Sequence, residues 1–146
     1  MIEVSLEEAG PENWRDAAAL EVEDGQREFV ATVEHYLSLC AYGDLPWHPL
    51  AVRAGDRVVG FVMWGIDEAD GSFWIGGLVI DRREQRKGYG REVVELLVGR
   101  AREEGRPSAA LSYSPSNTVA RSLYAKLGFQ ELGETEGDEV VARLAL

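Results

Sequence analysis

The spacing of apolar and polar residues changes several times along the chain, and each change predicts a new element. Alternation in IEVSL predicts a strand over residues 2–6. Helix-forming residues after Pro11 predict a first helix over 12–23, and apolar residues at helical spacing predict a second over 26–41. The glycine and two prolines of YGDLPWHP then predict a loop.

The middle of the chain has the period of β-strands. Two strand-like runs divided by Gly55 and Asp56 predict a hairpin over residues 50–66. Asp70 and Gly71 predict the next turn, and residues 73–80 a further central strand. A helical apolar stripe follows over 90–105, so a central helix separates this strand from the next.

The pattern in the last third of the chain predicts a strand, a helix and a closing hairpin. AALSY indicates a short strand, and SNTVARSLYAKLG a helix that begins at capping residues and ends at Gly128. The final hairpin turns at Gly137 and Asp138. The order β-α-α-β-β-β-α-β-α-β-β predicts an α/β protein whose mixed sheet contains a parallel step around the central helix. Residues 1–146 are expected to form a single domain, because no repeat or linker is visible.

The amino-acid composition argues against several classes of function. Acidic residues number 26 against 15 basic ones, a formal net charge of -11, so a nucleic-acid surface is not expected. The same charge would attract small cations, or would serve only solubility. The one cysteine, Cys40, cannot form an internal disulfide, and no His/Cys/acid cluster has metal-ligand spacing. Without an apolar leader or a long apolar run, we expect a cytoplasmic chain and no membrane partner.

One basic stretch stands out from this acidic background. REQRKGYGRE, residues 83–92, holds four basic residues and two glycines between the strand that ends at residue 80 and the central helix. A helix N-terminus offers free N–H groups and positive potential, and Gly88 and Gly90 let a ligand approach the backbone. With Arg86, Lys87 and Arg91, these features predict either a pyrophosphate site or an ordinary solvated turn.

Two motifs distinguish these alternatives. QRKGYG at 85–90 fits the pattern [QR]-x-x-G-x-[GA] after a central strand, and Asn117 begins N-x-x-A-x-x-x-Y-x-x-x-G-F, which ends at Phe129. The chain resembles the GNAT superfamily of acetyl-CoA-dependent N-acetyltransferases in both motifs. The resemblance implies the GNAT fold, an α/β arrangement with a single mixed, mostly antiparallel sheet of about seven strands and four helices.

The resemblance also implies where acetyl-CoA binds, as a co-substrate and without a metal. The pyrophosphate would lie on the basic loop, the pantetheine arm along the preceding strand, and Asn117 would contact that arm or cap its helix. The implied cofactor-binding residues are Leu78, Val79, Ile80, Gln85, Arg86, Lys87, Gly88, Tyr89, Gly90, Arg91, Asn117 and Tyr124.

Tyr124 matches the family's general acid, which would protonate the departing thiolate. An alkylammonium must lose a proton before it attacks, so a base is also expected. Many relatives carry a carboxylate at the position of Gly76, where this chain has no side chain to supply one. Spacing singles out no replacement among Glu21, Glu23, Glu34, Asp67, His35 and His48.

The acceptor is the least constrained part of this prediction. LEVEDGQREFVA, GFVMWG, LSYSPSN and LGETEGDEVVARLAL resemble bacterial diamine and polyamine acetyltransferase-like proteins, whereas WIGGLVID departs from them around Gly77. The prediction is transfer of an acetyl group to a primary amine of a small cation, in a ternary complex, with Glu21, Glu34 and Trp64 as acceptor-binding candidates. Tyr36, Tyr42 and Trp47 are further aromatic candidates for a cation.

Three alternatives stay open. The acceptor could be an aminoglycoside or an amine of a protein or peptide, or the domain could bind acetyl-CoA without catalysis. Tyr124 argues against the last alternative, because a binding module needs no phenol at the thiol. Family members are often dimers, so the resemblance allows a homodimer without predicting which edge would pair.

Overall fold

The computed structural model describes residues 3–146, and these form a seven-stranded sheet with four α-helices. The elements in chain order are β1 (Ser5–Glu8), α1 (Trp14–Ala18), α2 (Val33–Tyr42), β2 (His48–Ala54), β3 (Arg57–Ile66), β4 (Phe73–Ile80), α3 (Tyr89–Glu103), β5 (Ser108–Tyr113), α4 (Thr118–Lys126), β6 (Gln130–Glu136) and β7 (Glu139–Ala145). This order confirms the α/β class and the sequence of elements that the periodicity predicts.

The strands are arranged β1-β2-β3-β4-β5-β7-β6. Every neighbouring pair is antiparallel except β4 and β5, which run parallel because α3 connects them. The parallel pairing is short. Only Phe73 with Ala109 and Trp74 with Ala110 are in register, and the two strands then diverge toward their carboxyl ends. The resulting gap lies in the middle of the sheet.

The two faces of the sheet carry separate apolar clusters. Side chains of β4 and β5, such as Phe73 and Leu111, pack with Val94 and Leu97 of α3, and α4 closes the same face. On the other face, α1 and α2 cover Phe61, with Val79 in the same cluster. Because alternate residues of a strand point to opposite faces, both sides of β3 and β4 are buried. The gap between β4 and β5 is therefore flanked by protein on both sides.

The first strand and the first two helices differ from their predicted bounds. The predicted strand begins at Ile2, which lies outside the described residues, and β1 itself covers Ser5–Glu8. The prediction of a helix over 12–23 is wrong beyond Ala18. There the Glu21 N–H donates to Asp81 Oδ1 at 3.1 Å, and the Glu21 carbonyl accepts from the Arg82 N–H at 2.6 Å. Hydrogen bonds to the end of β4 thus replace those of a helix.

The second helix begins later than the apolar spacing predicts. Thr32 caps α2, and its Oγ1 accepts from the His35 N–H at 3.2 Å. Before this cap, Asp24–Gln26 form a single 3₁₀ turn, so the prediction of a helix over 26–41 is wrong for residues 26–32. Phe29 and Val30, in the segment without regular structure, line the central gap instead.

Candidate active site

A cavity of about 690 Å³ occupies the gap between β4 and β5. Trp74 and Ala110 are the last residues paired across the two strands, so the following residues of β4 have no partner on β5. Unpaired backbone groups of this kind can accept an extended ligand as an added strand. The cavity extends from the N-terminus of α3 to the start of β7, and its two ends differ in chemistry.

A β-bulge shapes β4 beside the cavity. Phe61 pairs with Val79 and Met63 with Gly76, so β4 contains one residue more than β3 over this interval. Gly77 lies in the bulge at φ +60°, a left-handed conformation that side-chain-bearing residues rarely adopt. The bulge turns the backbone of Leu78 and Val79 into the wall of the cavity.

The first end of the cavity is built on the N-terminus of α3. Gly88 is the N-cap residue at φ +83°, and no side chain caps the helix there. The first-turn N–H groups of Tyr89, Gly90 and Arg91 have no intrahelical acceptor, since Glu92 is the first to bond back, to the Gly88 carbonyl. Arg86 also has a positive φ of 64°. These groups form a positively polarised concavity suited to a phosphate.

Two side chains fix this loop to the end of β4. Gln85 Nε2 donates to the Ile80 carbonyl at 2.6 Å, so the side chain that begins the motif holds the loop in place. Glu84 is buried and accepts from Lys87 Nζ at 2.6 Å, with an ion pair to Arg57. The hydrogen bond from Lys87 lowers the pKa of Glu84, and the bond from Arg57 adds to this effect against the opposing effect of burial.

The basic side chains of the loop therefore have different roles. Lys87 is bound to buried Glu84 and does not line the cavity. Arg86 and Arg91 do line it; Arg86 is exposed and pairs with half-buried Glu23, and both Arg91 and its partner Glu95 are exposed. Exposed ion pairs are worth about 0–1 kcal/mol, so a bound phosphate can replace these partners at low cost.

Tyr124 lies on the α4 side of the gap. Its ring is 5.6 Å from that of Tyr113 and 6.1 Å from that of Phe129, measured between centroids. Burial, together with a smaller contribution from the nearby Tyr36 phenol, raises the pKa of Tyr124 to about 12. The Tyr124 hydroxyl is therefore protonated at neutral pH and available as a proton donor.

Asn117 caps α4 at the edge of the cavity. Its Oδ1 accepts from the Ala120 N–H at 3.2 Å, which makes it the N-cap of α4, and it also lines the cavity. The cap aligns the helix that carries Tyr124. The motif thus places Asn117 at the start of α4 and Tyr124 two turns later on the same helix.

Aromatic rings cover the bulge at the second end of the cavity. A Cβ added at Gly76 would lie 3.1 Å from Trp47 Cη2, and one added at Gly77 would lie 3.2 Å from Tyr36 Cγ. The space that a side chain of β4 would need is occupied by these two rings. The Tyr36 Oη accepts from the Ala31 N–H at 2.9 Å, which fixes the ring over the strand.

Carboxylates line the same end. Asp67, Glu136 and Glu139 contribute to the wall, and Glu139 Oε1 accepts from Ser112 Oγ at 2.8 Å. Burial raises the pKa of the Tyr36 phenol and the Glu139 carboxylate raises it further, although the bond from Ala31 lowers it. Tyr36 and Glu139 are therefore close enough to act on one ligand.

Most of the residues implied by the two motifs meet at this cavity. Those lining it are Leu78, Val79, Ile80, Gln85, Arg86, Gly88, Tyr89, Gly90, Arg91, Asn117 and Tyr124. Tyr36 and Trp47, named as aromatic candidates for a cation, also line it. Of the six candidates for the base, only Asp67 does.

The three acceptor-binding candidates lie elsewhere. Trp64 stacks between His48 and Phe73 on the α3 face, with the Arg100 guanidinium 4.1 Å from its ring centroid. Glu21 faces Arg82 at the end of β4, and Glu34 is exposed in the first turn of α2. The structure does not bring these side chains to the cavity.

Sequence reasoning missed Ser112, Glu136 and Glu139, which do line it. Glu139 directly follows the turn at Gly137 and Asp138, a position at which an acidic residue is usually solvated. Its link to Ser112 depends on the pairing of β5 with β7, 27 residues apart in the chain. No local pattern indicates that pairing.

Residues 3–146 contain neither a metal-ligand cluster nor a helix that could span a membrane. No group of three or more His, Cys, Asp or Glu side chains is arranged to hold a metal ion. Within the same residues, no helix has the length and apolar character needed to cross a membrane.

The family assignment follows from comparison with known sequences. The model of the acetyltransferase (GNAT) family matches residues 11–129, which includes β4, the α3 loop and α4. The chain therefore belongs to the GNAT family of acetyltransferases. It is an acetyl-CoA-dependent N-acetyltransferase, and the cavity described above is its candidate active site.

A curated relative agrees with the family assignment, and solved structures share the fold. The chain is 29% identical over 106 residues to the spermine/spermidine N(1)-acetyltransferase of Bacillus subtilis strain 168, covering 66% of this chain and 70% of that one. A domain from Methanocaldococcus jannaschii superimposes with a TM-score of 0.79 at 17% identity over both full lengths. A Bacillus subtilis acetyltransferase solved with CoA has a TM-score of 0.69 at 19% identity, covering 100% and 99% of the two chains.

Proposed function

We propose that the protein transfers the acetyl group of acetyl-CoA to a primary amine of a small polycationic acceptor, a diamine or polyamine. The observation that carries this proposal is one cavity with an anion-binding loop at one end and three carboxylates beside two aromatic rings at the other. The spermine/spermidine acetyltransferase among the relatives supports the same acceptor class. The two substrates would bind at the same time, each at its own end.

The cofactor would bind along the unpaired edge of β4. Its pyrophosphate would accept from the first-turn N–H groups of α3, with Arg86 and Arg91 supplying charge. Its pantetheine arm would pair with the backbone of residues 78–80, as an added strand. A backbone N–H at the bulge would polarise the thioester carbonyl as charge develops on its oxygen.

The transfer itself would be a direct attack. The neutral amine forms a C–N bond to the thioester carbon, the resulting tetrahedral intermediate collapses, and the C–S bond breaks. Tyr124 would donate its proton to the departing thiolate. The attacking nitrogen, positively charged once the C–N bond forms, would lose a proton that returns the Tyr124 phenolate to its neutral form. A thiol is a stronger acid than this phenol, so the proton moves only as charge appears on sulfur.

The acceptor end fits a thin chain with more than one positive charge. Asp67, Glu136 and Glu139 would attract its ammonium groups, and the faces of Trp47 and Tyr36 would contact them by cation–π interaction. The net charge of -11 adds a long-range attraction for such an acceptor.

The test is release of free CoA from acetyl-CoA with separate acceptors: spermidine, spermine, putrescine, an aminoglycoside and a short peptide. Turnover with the polyamines that exceeds the other acceptors by tenfold or more in kcat/KM would support the proposal. If the protein prefers the peptide or the aminoglycoside, the proposed acceptor class is wrong, but acetyl transfer to an amine still holds. Acetyl-CoA binding without turnover on any amine would indicate a binding module.

A further inference from the structure

The bulge of β4 carries no side chain at Gly76 or Gly77 that could take up a proton. A side chain at Gly76 would meet Trp47 and Met63 at 3.1 and 3.3 Å, and Gly77 is covered by Tyr36. The proton of the acceptor nitrogen must therefore leave by another route. A replacement must line the cavity, lack a cationic partner and lie where the acceptor can reach it.

Three of the four carboxylates in the cavity wall fit this requirement poorly. Glu84 is neutralised by Lys87 and Arg57. Asp67 accepts from the Ala69 N–H and interacts with the positive charge of Arg143. Glu136 has no cationic partner among residues 3–146 either, but it is exposed on edge strand β6, so its carboxylate stays solvated and is a weaker base candidate.

Glu139 satisfies all three conditions. It is half-buried in the wall, and its Oε1 is held at 2.8 Å by the Ser112 hydroxyl. Among residues 3–146 it forms no ion pair, so its other oxygen is available to a ligand. The titratable groups that face it are Tyr36 from α2 and Glu136, its partner across the last hairpin.

The strand register places Glu139 on the correct face. Trp74 is opposite Ala110 across the parallel pair, so both point to one face of the sheet, and Gly76 and Ser112 follow two residues later on that face. Ser112 is opposite Val141, and Glu139 is two residues before Val141. Glu139 therefore shares a face with Gly76, whereas Tyr124 packs with Tyr113 on the opposite face.

We propose that Glu139, held by Ser112, binds the reacting nitrogen of the acceptor and accepts its proton in place of the missing carboxylate of β4. The ammonium N–H bond breaks, the proton goes to Glu139 Oε2, and the electron pair left on nitrogen attacks the thioester. Glu139 returns the proton to water after transfer. This inference depends on the proposed amine acetylation, with the acid and the base on opposite faces of the gap.

The test compares Glu139→Gln with Asp138→Asn, an equal loss of charge one residue away in the exposed turn and outside the cavity wall. With the best polyamine of the acceptor panel, we expect Glu139→Gln to lower kcat/KM by about 10²- to 10⁴-fold, as for a lost base, with acetyl-CoA affinity unchanged. Asp138→Asn should remain within threefold of the wild type. Formate should restore part of the activity of Glu139→Ala, because a small carboxylate can occupy the vacated space.

Wild-type-like kcat/KM in Glu139→Gln, or no formate rescue in Glu139→Ala, would overturn the assignment to Glu139 alone. A wild type with no turnover on any amine would overturn the proposed function as well. If Glu139→Gln does not fold, Ser112→Ala provides the second test, since it releases the carboxylate but leaves it in place. We expect a loss of roughly tenfold there, and no loss would again overturn the proposal.

Discussion

The two ends of the cavity are built in different ways. The end at which we propose that acetyl-CoA binds, the cofactor end, is mainly backbone, with helix N–H groups at 89–91 and a strand edge at 78–80 that are close together in the sequence. The end proposed for the amine, the acceptor end, is made of side chains from separate elements, among them Tyr36 of α2, Trp47 before β2 and Glu139 of β7. A backbone site is fixed by the fold and by a few glycines, whereas a side-chain site can change its specificity without changing the fold.

The largest expected effect is at the cofactor end. Gly88→Trp would place a large side chain where φ is +83° and where the α3 N–H groups must remain accessible. Losing two charge-assisted hydrogen bonds, worth about 1.5–3 kcal/mol each, would raise the Kd for acetyl-CoA by roughly 10²- to 10⁴-fold. Isothermal titration calorimetry measures the Kd for acetyl-CoA. Gly99→Trp, in open space on α3, is the matched control, and an unchanged Kd in Gly88→Trp would place the pyrophosphate elsewhere.

Tyr124→Phe should separate chemistry from binding. The ring keeps its contacts with Tyr113 and Phe129 but loses the proton donor. We expect kcat to fall by about ten- to a thousandfold, while the Kd for acetyl-CoA changes little. Steady-state kinetics with the best acceptor measure the first quantity and titration the second. If kcat is unchanged, Tyr124 is only a packing residue.

Much of the cofactor end could be predicted from the sequence. The two motifs lie on short, local elements, and Gly88, Gly90 and Asn117 have roles that follow from helix-terminus chemistry. The bounds of α3 and α4 could also be predicted, because their apolar stripes and terminal signals agree.

The segment after α1 and the acceptor end could not be predicted, because both depend on contacts between residues distant in the sequence. Residues 19–23 have helix-forming composition, yet the hydrogen bonds of Glu21 to Asp81 and Arg82 prevent a helix there. Glu139 reaches the cavity only because β7 pairs with β5. The local pattern of apolar and polar residues indicates neither the Glu21 hydrogen bonds nor the pairing of β5 with β7.

A pair of glycine variants at the acceptor end should have smaller effects. Alanine at Gly77 would adopt an unfavourable φ of +60° and press on Tyr36, so we expect a loss of about 1–3 kcal/mol in the free energy of unfolding and a higher KM for the acceptor. Gly76→Ala meets only the ends of the Trp47 and Met63 side chains and should cost less. Urea denaturation and acceptor kinetics check both. Equal losses in the two variants would contradict the strain argument.

The smallest expected effect is at Asn117, where cap and cofactor contact can be separated. Asn117→Ala removes the acceptor of the Ala120 N–H and should lower stability by about 1 kcal/mol, or roughly 2–4 °C in Tm. Asn117→Ser restores a cap with a shorter side chain, so it should recover the Tm. If the cap is the main role, the Kd for acetyl-CoA stays within about twofold in both variants, since a lost neutral hydrogen bond would cost about 1 kcal/mol, or fivefold. A higher Kd in both variants, with Tm restored only by serine, would mean that the amide also contacts the pantetheine arm, and that the cofactor end uses a side chain after all.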